Sequence, residues 1–212
     1  MNTQTDHLEA ALPPERRPAP RWLPMRSLGP RHRARVLAHL LMLDATDRHL
    51  RFGHSVSDEQ IHAYVKGIDF ERDEVFGVFD GRLRLVAMAH LAFADDHHAA
   101  EFGVSVLPSA RGRGMGARLF EHAVMNARNR GAREMAIYLA SENTSMLRIV
   151  QKAGATVRFD GADATATLTL PADTIGSQIE ELVSERAADL DYRFKLGVLR
   201  LDQLWASRKS EG

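Results

Sequence analysis

The chain of 212 residues contains no cysteine. That excludes disulfides, a thiol nucleophile and zinc–thiolate sites. It has no net charge either: 28 Lys and Arg balance 28 Asp and Glu. No global field therefore favours nucleic acid or an acidic membrane surface. No apolar run approaches the roughly 20 residues a membrane helix needs. The start, Met1 to Pro20, is polar and Pro-rich with no apolar core, so no secretory signal is expected. A cytoplasmic location is the expectation, and no internal repeat is visible. What is present suffices for one globular domain with terminal extensions: 44% of the residues are hydrophobic.

Patterning divides the chain into three stretches. Residues 1–20 read as a disordered arm, 21–170 as the folded domain and 171–212 as a C-terminal helical extension. Trp22 to Arg26 suits a first short strand. Val36, Leu37, Leu40, Leu41 and Leu43 recur at helical spacing. Asp44 can cap a second helix reaching Phe52, and Ser57-Asp-Glu-Gln60 has the capping-box spacing of a third. Strand texture follows at Glu74–Phe79, Leu83–Phe93 and Ala99–Val106, with Asp80-Gly81 as a hairpin signal. After a Gly-rich turn, Met115, Leu119, Phe120, Ala123 and Ala127 form a helical stripe that Gly131 ends. Glu134–Ala140 reads as a strand and Asn143–Ala153 as a helix. Ala155–Phe159 and Ala164–Leu170 read as a final pair of strands.

The turn Arg111-Gly-Arg-Gly-Met-Gly116 joins a strand to a helix. That order gathers free backbone N–H groups and positive charge at one point, which suits phosphate. A Walker A loop would need Gly-Lys-Ser/Thr, which is absent. A dinucleotide fingerprint would place the third glycine one residue later, and it would follow the first strand of a βαβ unit.

Arg111-x-x-Gly114-x-Gly116 resembles the Gln/Arg-x-x-Gly-x-Gly/Ala motif of the GCN5-related N-acetyltransferase (GNAT) superfamily. The strand Glu101-Phe-Gly-Val-Ser-Val106 precedes it, and Asn143 to Gly154 is similar to the family's second motif. The motifs are nearest to those of bacterial protein-lysine acetyltransferases. The resemblance covers residues 21–170. It implies an α+β fold: a mixed, mostly antiparallel sheet of six to seven strands with helices on both faces. It implies acetyl-CoA as cofactor and no metal. The pyrophosphate would lie on Arg111, Gly112, Arg113, Gly114, Met115 and Gly116, and the pantetheine arm beside Val104, Ser105, Val106 and Asn143. The acceptor would be a primary amine, on a protein lysine or a small molecule. A homodimer is expected, with neither nucleic acid nor membrane as partner.

The family's usual general base is a Glu on the strand before the motif, a place Glu101 holds. Ala100 and Phe102 beside it would raise its pKa. The usual acid, a Tyr seven residues after the motif Asn, is replaced by Val150; Tyr138 is a possible substitute. A non-catalytic acyl-CoA sensor is the alternative. Arg48-His-Leu-Arg-Phe52 resembles a segment of the lysine-acetyltransferase type, where Arg51 suits either a substrate carboxylate or a surface role. Packing or an acceptor pocket would each explain His90. His97 and His98 suit an exposed turn, and Asp69, Glu71, Asp73 and Glu74 a solvated loop.

Overall fold

The change of periodicity from 3.6 to 2 near residue 70 marks where helices give way to sheet, and back again at 115. A computed structural model describes residues 24–171. The expected N-terminal arm and C-terminal extension lie outside the described residues. A short strand β1 (Met25–Leu28) leads into helices α1 (Arg33–Leu41), α2 (Ala45–Phe52) and α3 (Asp58–Gly67). Strands β2 (Glu74–Phe79), β3 (Leu85–Phe93) and β4 (Ala99–Val106) follow, then α4 (Met115–Asn129), β5 (Glu134–Ala140) and α5 (Thr144–Lys152). Strands β6 (Thr156–Asp160) and β7 (Asp163–Thr169) close the domain.

Local chemistry sets these boundaries. The Asp44 carboxylate accepts from Asp47 N at 2.8 Å and starts α2. Ser57 and Gln60 form the expected reciprocal box at α3. The Asp80-Gly81 turn is longer than the hairpin signal suggests. Asp80 accepts from the amides of both Arg82 and Arg84, so Leu83 leaves the strand, 67% exposed with φ 59°. Among the described residues the first strand runs Met25–Leu28; Trp22, where the sequence expectation starts, lies outside them.

The seven strands run β1-β2-β3-β4-β5-β7-β6. Every neighbouring pair is antiparallel except β4–β5. Side-chain alternation divides two apolar clusters between the faces. Phe76, Ala89, Leu91, Phe102 and Met135 join α4 and α5 on one face. Val75, Leu85 and Met88 join α1 and α3 on the other. Phe102 meets Phe120 of α4 edge-on, ring centroids 5.4 Å apart. On the opposite face buried His39 ties α1 to the sheet. Its Nδ1 lies 2.8 Å from Leu85 O and its Nε2 2.8 Å from Ser105 Oγ. Burial lowers its pKa to about 4, so the ring is neutral at neutral pH.

One departure from regular sheet positions the site. β4 and β5 pair only from Ala99–Glu101 to Glu134–Ala136, although β4 runs on to Val106 and β5 to Ala140. Beyond Glu101 the two parallel strands part, and the sheet opens there.

Candidate active site

The open edge belongs to alternate residues of β4. Leu107 N donates to Val86 O, and the register pairs Val106 with Ala87 and Ser105 with Met88. In an antiparallel ladder this parity turns the backbone groups of Glu101, Gly103 and Ser105 toward β3. Those of Phe102, Val104 and Val106 face the opening. An extended chain segment could add to this edge as a further strand. Val104 and Val106 are thus on the edge where the sequence puts the pantetheine arm. Ser105 is not: its backbone faces β3 and its hydroxyl is spent on His39.

At the upper end of β4 the chain turns into α4. Gly112 and Gly114 hold φ of 73° and 70°, a region that disfavours any side chain. Gly114 is the N-cap of α4, with no side chain capping the helix. The first-turn N–H groups therefore point outward uncapped, beside the positive end of a 15-residue helix. These features fit a pyrophosphate. Arg111 is less available than the sequence implies. Its Nε donates to Val106 O at 3.0 Å, and its Nη2 is bound to the buried carboxylate of Asp47 in α2. Arg113 is exposed, with no such commitment among the described residues. Asn143 caps α5, its side chain accepting from Met146 N at 3.1 Å.

Glu101 stands where the strands part, on the sheet face covered by the N-terminal helices. It is half-buried. Burial raises its pKa from 4.5 to about 7; the Arg51 charge opposes the rise and Asp73 adds to it. A carboxyl so placed exchanges a proton near neutrality.

A hydrogen-bonded chain of side chains lies beside it. The Tyr64 hydroxyl accepts from Arg51 Nη2 at 2.8 Å and donates to His90 Nδ1 at 2.6 Å. His90 Nε2 donates to Asp73 Oδ2 at 3.0 Å, and Asp73 Oδ1 accepts from Arg72 Nε at 2.9 Å. Burial lowers the His90 pKa despite Asp73, so the ring is neutral and its one proton lies on Nε2. Burial works against the Asp73 carboxylate, yet the hydrogen bonds from His90 and Arg72 prevail and hold its pKa at about 2. Asp73 is therefore no solvated loop residue: it is 4% exposed and also accepts from Phe93 N. Its acidic neighbours had concealed it in the sequence. Glu74 pairs with Arg130, and Asp69 accepts from two loop amides.

Tyr138 lies on the same sheet face as Glu101, because Ala136 pairs in parallel with Glu101 and Tyr138 follows by two. It rides the arm that diverges from β4. Val150 is fully buried in the α5 side of the core and offers no proton. Among the described residues no group of His, Asp and Glu could hold a metal. His97 is half-buried against Phe93, ring centroids 5.6 Å apart, rather than in an open turn.

The parted strands and the glycine turn at a helix start frame a cleft in the sheet, and the family match gives its class, an acetyltransferase fold. The chain belongs to the acetyltransferase (GNAT) family, whose model matches residues 38–155. Solved structures agree on the fold. The GNAT domain of a PAT protein from S. lividans is 21% identical, with 69% of this chain and 89% of that one covered at a TM-score of 0.57. A phosphinothricin N-acetyltransferase so described is 18% identical, covering 71% and 99% at 0.57. The yncA protein of Salmonella typhimurium, solved with acetyl-CoA, is 17% identical, covering 75% and 100% at 0.54. No curated protein matches the sequence at a significant level.

Proposed function

We propose that the chain moves an acetyl group from acetyl-CoA to a primary amine by direct attack, with Glu101 as general base. The observation that carries this reading is a half-buried carboxyl, Glu101, at the point where β4 and β5 part, with burial raising its pKa. Acetyl-CoA would supply the activated carbonyl carbon and a thiolate leaving group. The chain's own residues do the rest. The amides from Gly112 to Gly116 and the Arg113 side chain would hold the pyrophosphate. The outward backbone groups of Val104 and the N–H of Val106, whose carbonyl Arg111 takes, would align the arm along β4. Glu101 takes the proton from the amine as its nitrogen bonds to the carbonyl carbon. Tyr138 or water would give a proton to the thiolate that leaves as the carbon–sulfur bond breaks.

Val150 favours a second reading, a non-catalytic acyl-CoA-binding module. Two measurements on Glu101→Gln separate the two. In the enzyme, thiol release with an amine panel falls by about 100-fold or more, the usual range for a lost base, while CoA binding persists. Absence of thiol release from the unaltered chain with every amine, despite CoA binding, would establish the module.

A further inference from the structure

Arg51 is the least explained charge in the site. It sits on α2, half-buried, and its guanidinium lies flat on β4 at Gly103. A Cβ built on Gly103 would fall 2.2–2.4 Å from Nη1, Cζ and Nη2. Only glycine at 103 lets the charge rest there. Tyr64 fixes its orientation through Nη2, and Tyr64 is held in turn by His90 and Asp73. The Phe52 ring lies 4.9 Å from its Cζ.

The guanidinium is always charged, yet it makes no ion pair within 4.0 Å among the described residues. Its Nε is buried without any acceptor. Of the nearby carboxyls, Asp47 is committed to Arg111 and Asp73 to Arg72 and His90, while Glu101 feels the Arg51 charge but forms no ion pair with it. Such a charge is costly to bury unless something anionic meets it. Gly103 is two residues from Glu101 on the same face, so the charge lies about 7 Å along the strand from the base. A molecule touching both would present an amine to Glu101 and an anion to Arg51, a few bonds apart.

We propose that Arg51 binds the carboxylate of the acceptor, which makes the acceptor a small free amino acid rather than a lysine within a protein. This rests on the acetyltransferase reading above. Planar, two-donor recognition of a carboxylate is the chemistry a guanidinium performs best. The fixed positive charge also disfavours an ammonium beside it, which helps the amine arrive neutral. In the transfer the amine nitrogen bonds to the acetyl carbon, its proton passes to Glu101 and the thiolate departs. The carboxylate stays on Arg51 throughout.

The test compares L-amino acids with their C-terminal amides as acceptors. The unaltered enzyme should favour the acid over its amide by about 10- to 100-fold in kcat/KM, the worth of one charge-assisted contact. Arg51→Gln should bring that ratio near one, mainly through the KM of the acid. The ratio cancels any effect of Arg51 on Glu101, which touches both acceptors alike. A second readout needs neither turnover nor the variant's folding. The ¹⁵N–¹H signal of Arg51 Nε should move on adding N-acetyl-L-alanine and stay still with N-acetyl-L-alanine amide. Equal use of acids and amides, or of lysine peptides, overturns the proposal while leaving an acetyltransferase. An Nε signal indifferent to both compounds also overturns it. A shifting Nε signal without thiol release from any acceptor supports the anion site and removes the enzyme reading instead.

Discussion

Glu101→Gln should stabilise the protein at high pH and leave it unchanged at low pH. The carboxyl has a folded pKa of about 7 against 4.5 when free. Between those values the folded state holds a proton that the unfolded chain gives up. Stability therefore falls as pH rises through this window, and the loss is complete above 7. The shift corresponds to about 3 kcal/mol at 1.36 kcal/mol per unit. Half-burial makes that an upper bound, so a gain of about 1–3 kcal/mol at pH 8.5 is expected from the neutral amide. At pH 4 both side chains are uncharged and the difference vanishes. The wild-type curve alone does not test this, because His39 acts oppositely in the same range. Its folded pKa of about 4 lies below the free value of 6.5, so its stabilisation is lost as pH falls through that interval. The difference between wild type and variant isolates Glu101. Urea denaturation of both proteins at pH 4, 5.5, 7 and 8.5 measures it. A difference constant with pH, or a variant less stable at pH 8.5, refutes the claim that burial holds this carboxyl up. The same proton governs rate: with a saturating, neutral acceptor, kcat should rise about fivefold from pH 6 to pH 7 and level off by pH 8.5.

Gly103→Ala drives a methyl into the Arg51 guanidinium, the far end of a flexible side chain that can give way; urea denaturation should show a loss of no more than about 1 kcal/mol, and the Arg51 Nε signal should shift. Arg111→Ala leaves the buried Asp47 carboxylate without its partner, so it should cost about 3 kcal/mol, and adding Asp47→Asn should recover most of that loss in a double-mutant cycle. Arg113→Ala should weaken CoA binding by calorimetry about threefold to tenfold at low salt and less at high salt, as expected of one exposed charge facing phosphate. Tyr64→Phe removes both the acceptor for Arg51 and the donor to His90; denaturation should show a loss of about 1–3 kcal/mol.

Elements whose signals are local were legible in the sequence, and residues whose partners are distant were not. The stripe from Met115 to Ala127 and the strands at 74, 99 and 134 carry their own periodicity; the strands appear with the expected boundaries, and the stripe lies within α4, which runs Met115–Asn129. Asp44 and Ser57 cap helices within three residues of themselves. Leu83 misleads because its strand-like neighbours say nothing of the Asp80 carboxylate that holds the turn open. Asp73 shows the deeper reason. In sequence it is one of four acids in six residues, and solvation is the natural reading of such a run. What distinguishes it is His90, 17 positions away, and the Phe93 amide, 20 away. Those contacts exist only after β2 pairs with β3. The same holds for Arg51, whose meaning depends on the absence of a Cβ at Gly103, 52 residues later. Motif spacing located the glycine turn because the residues that shape it, Gly112 and Gly114 at positive φ before α4, lie together in sequence. The proposed acceptor side would be made by side chains from α2, α3, β3 and β4 meeting over one strand. Its chemistry is set by which carboxylates find cations first. Asp47 and Asp73 each find an arginine. Arg51 finds none within the described fold, and so the acceptor's own charge becomes the variable that an assay can turn.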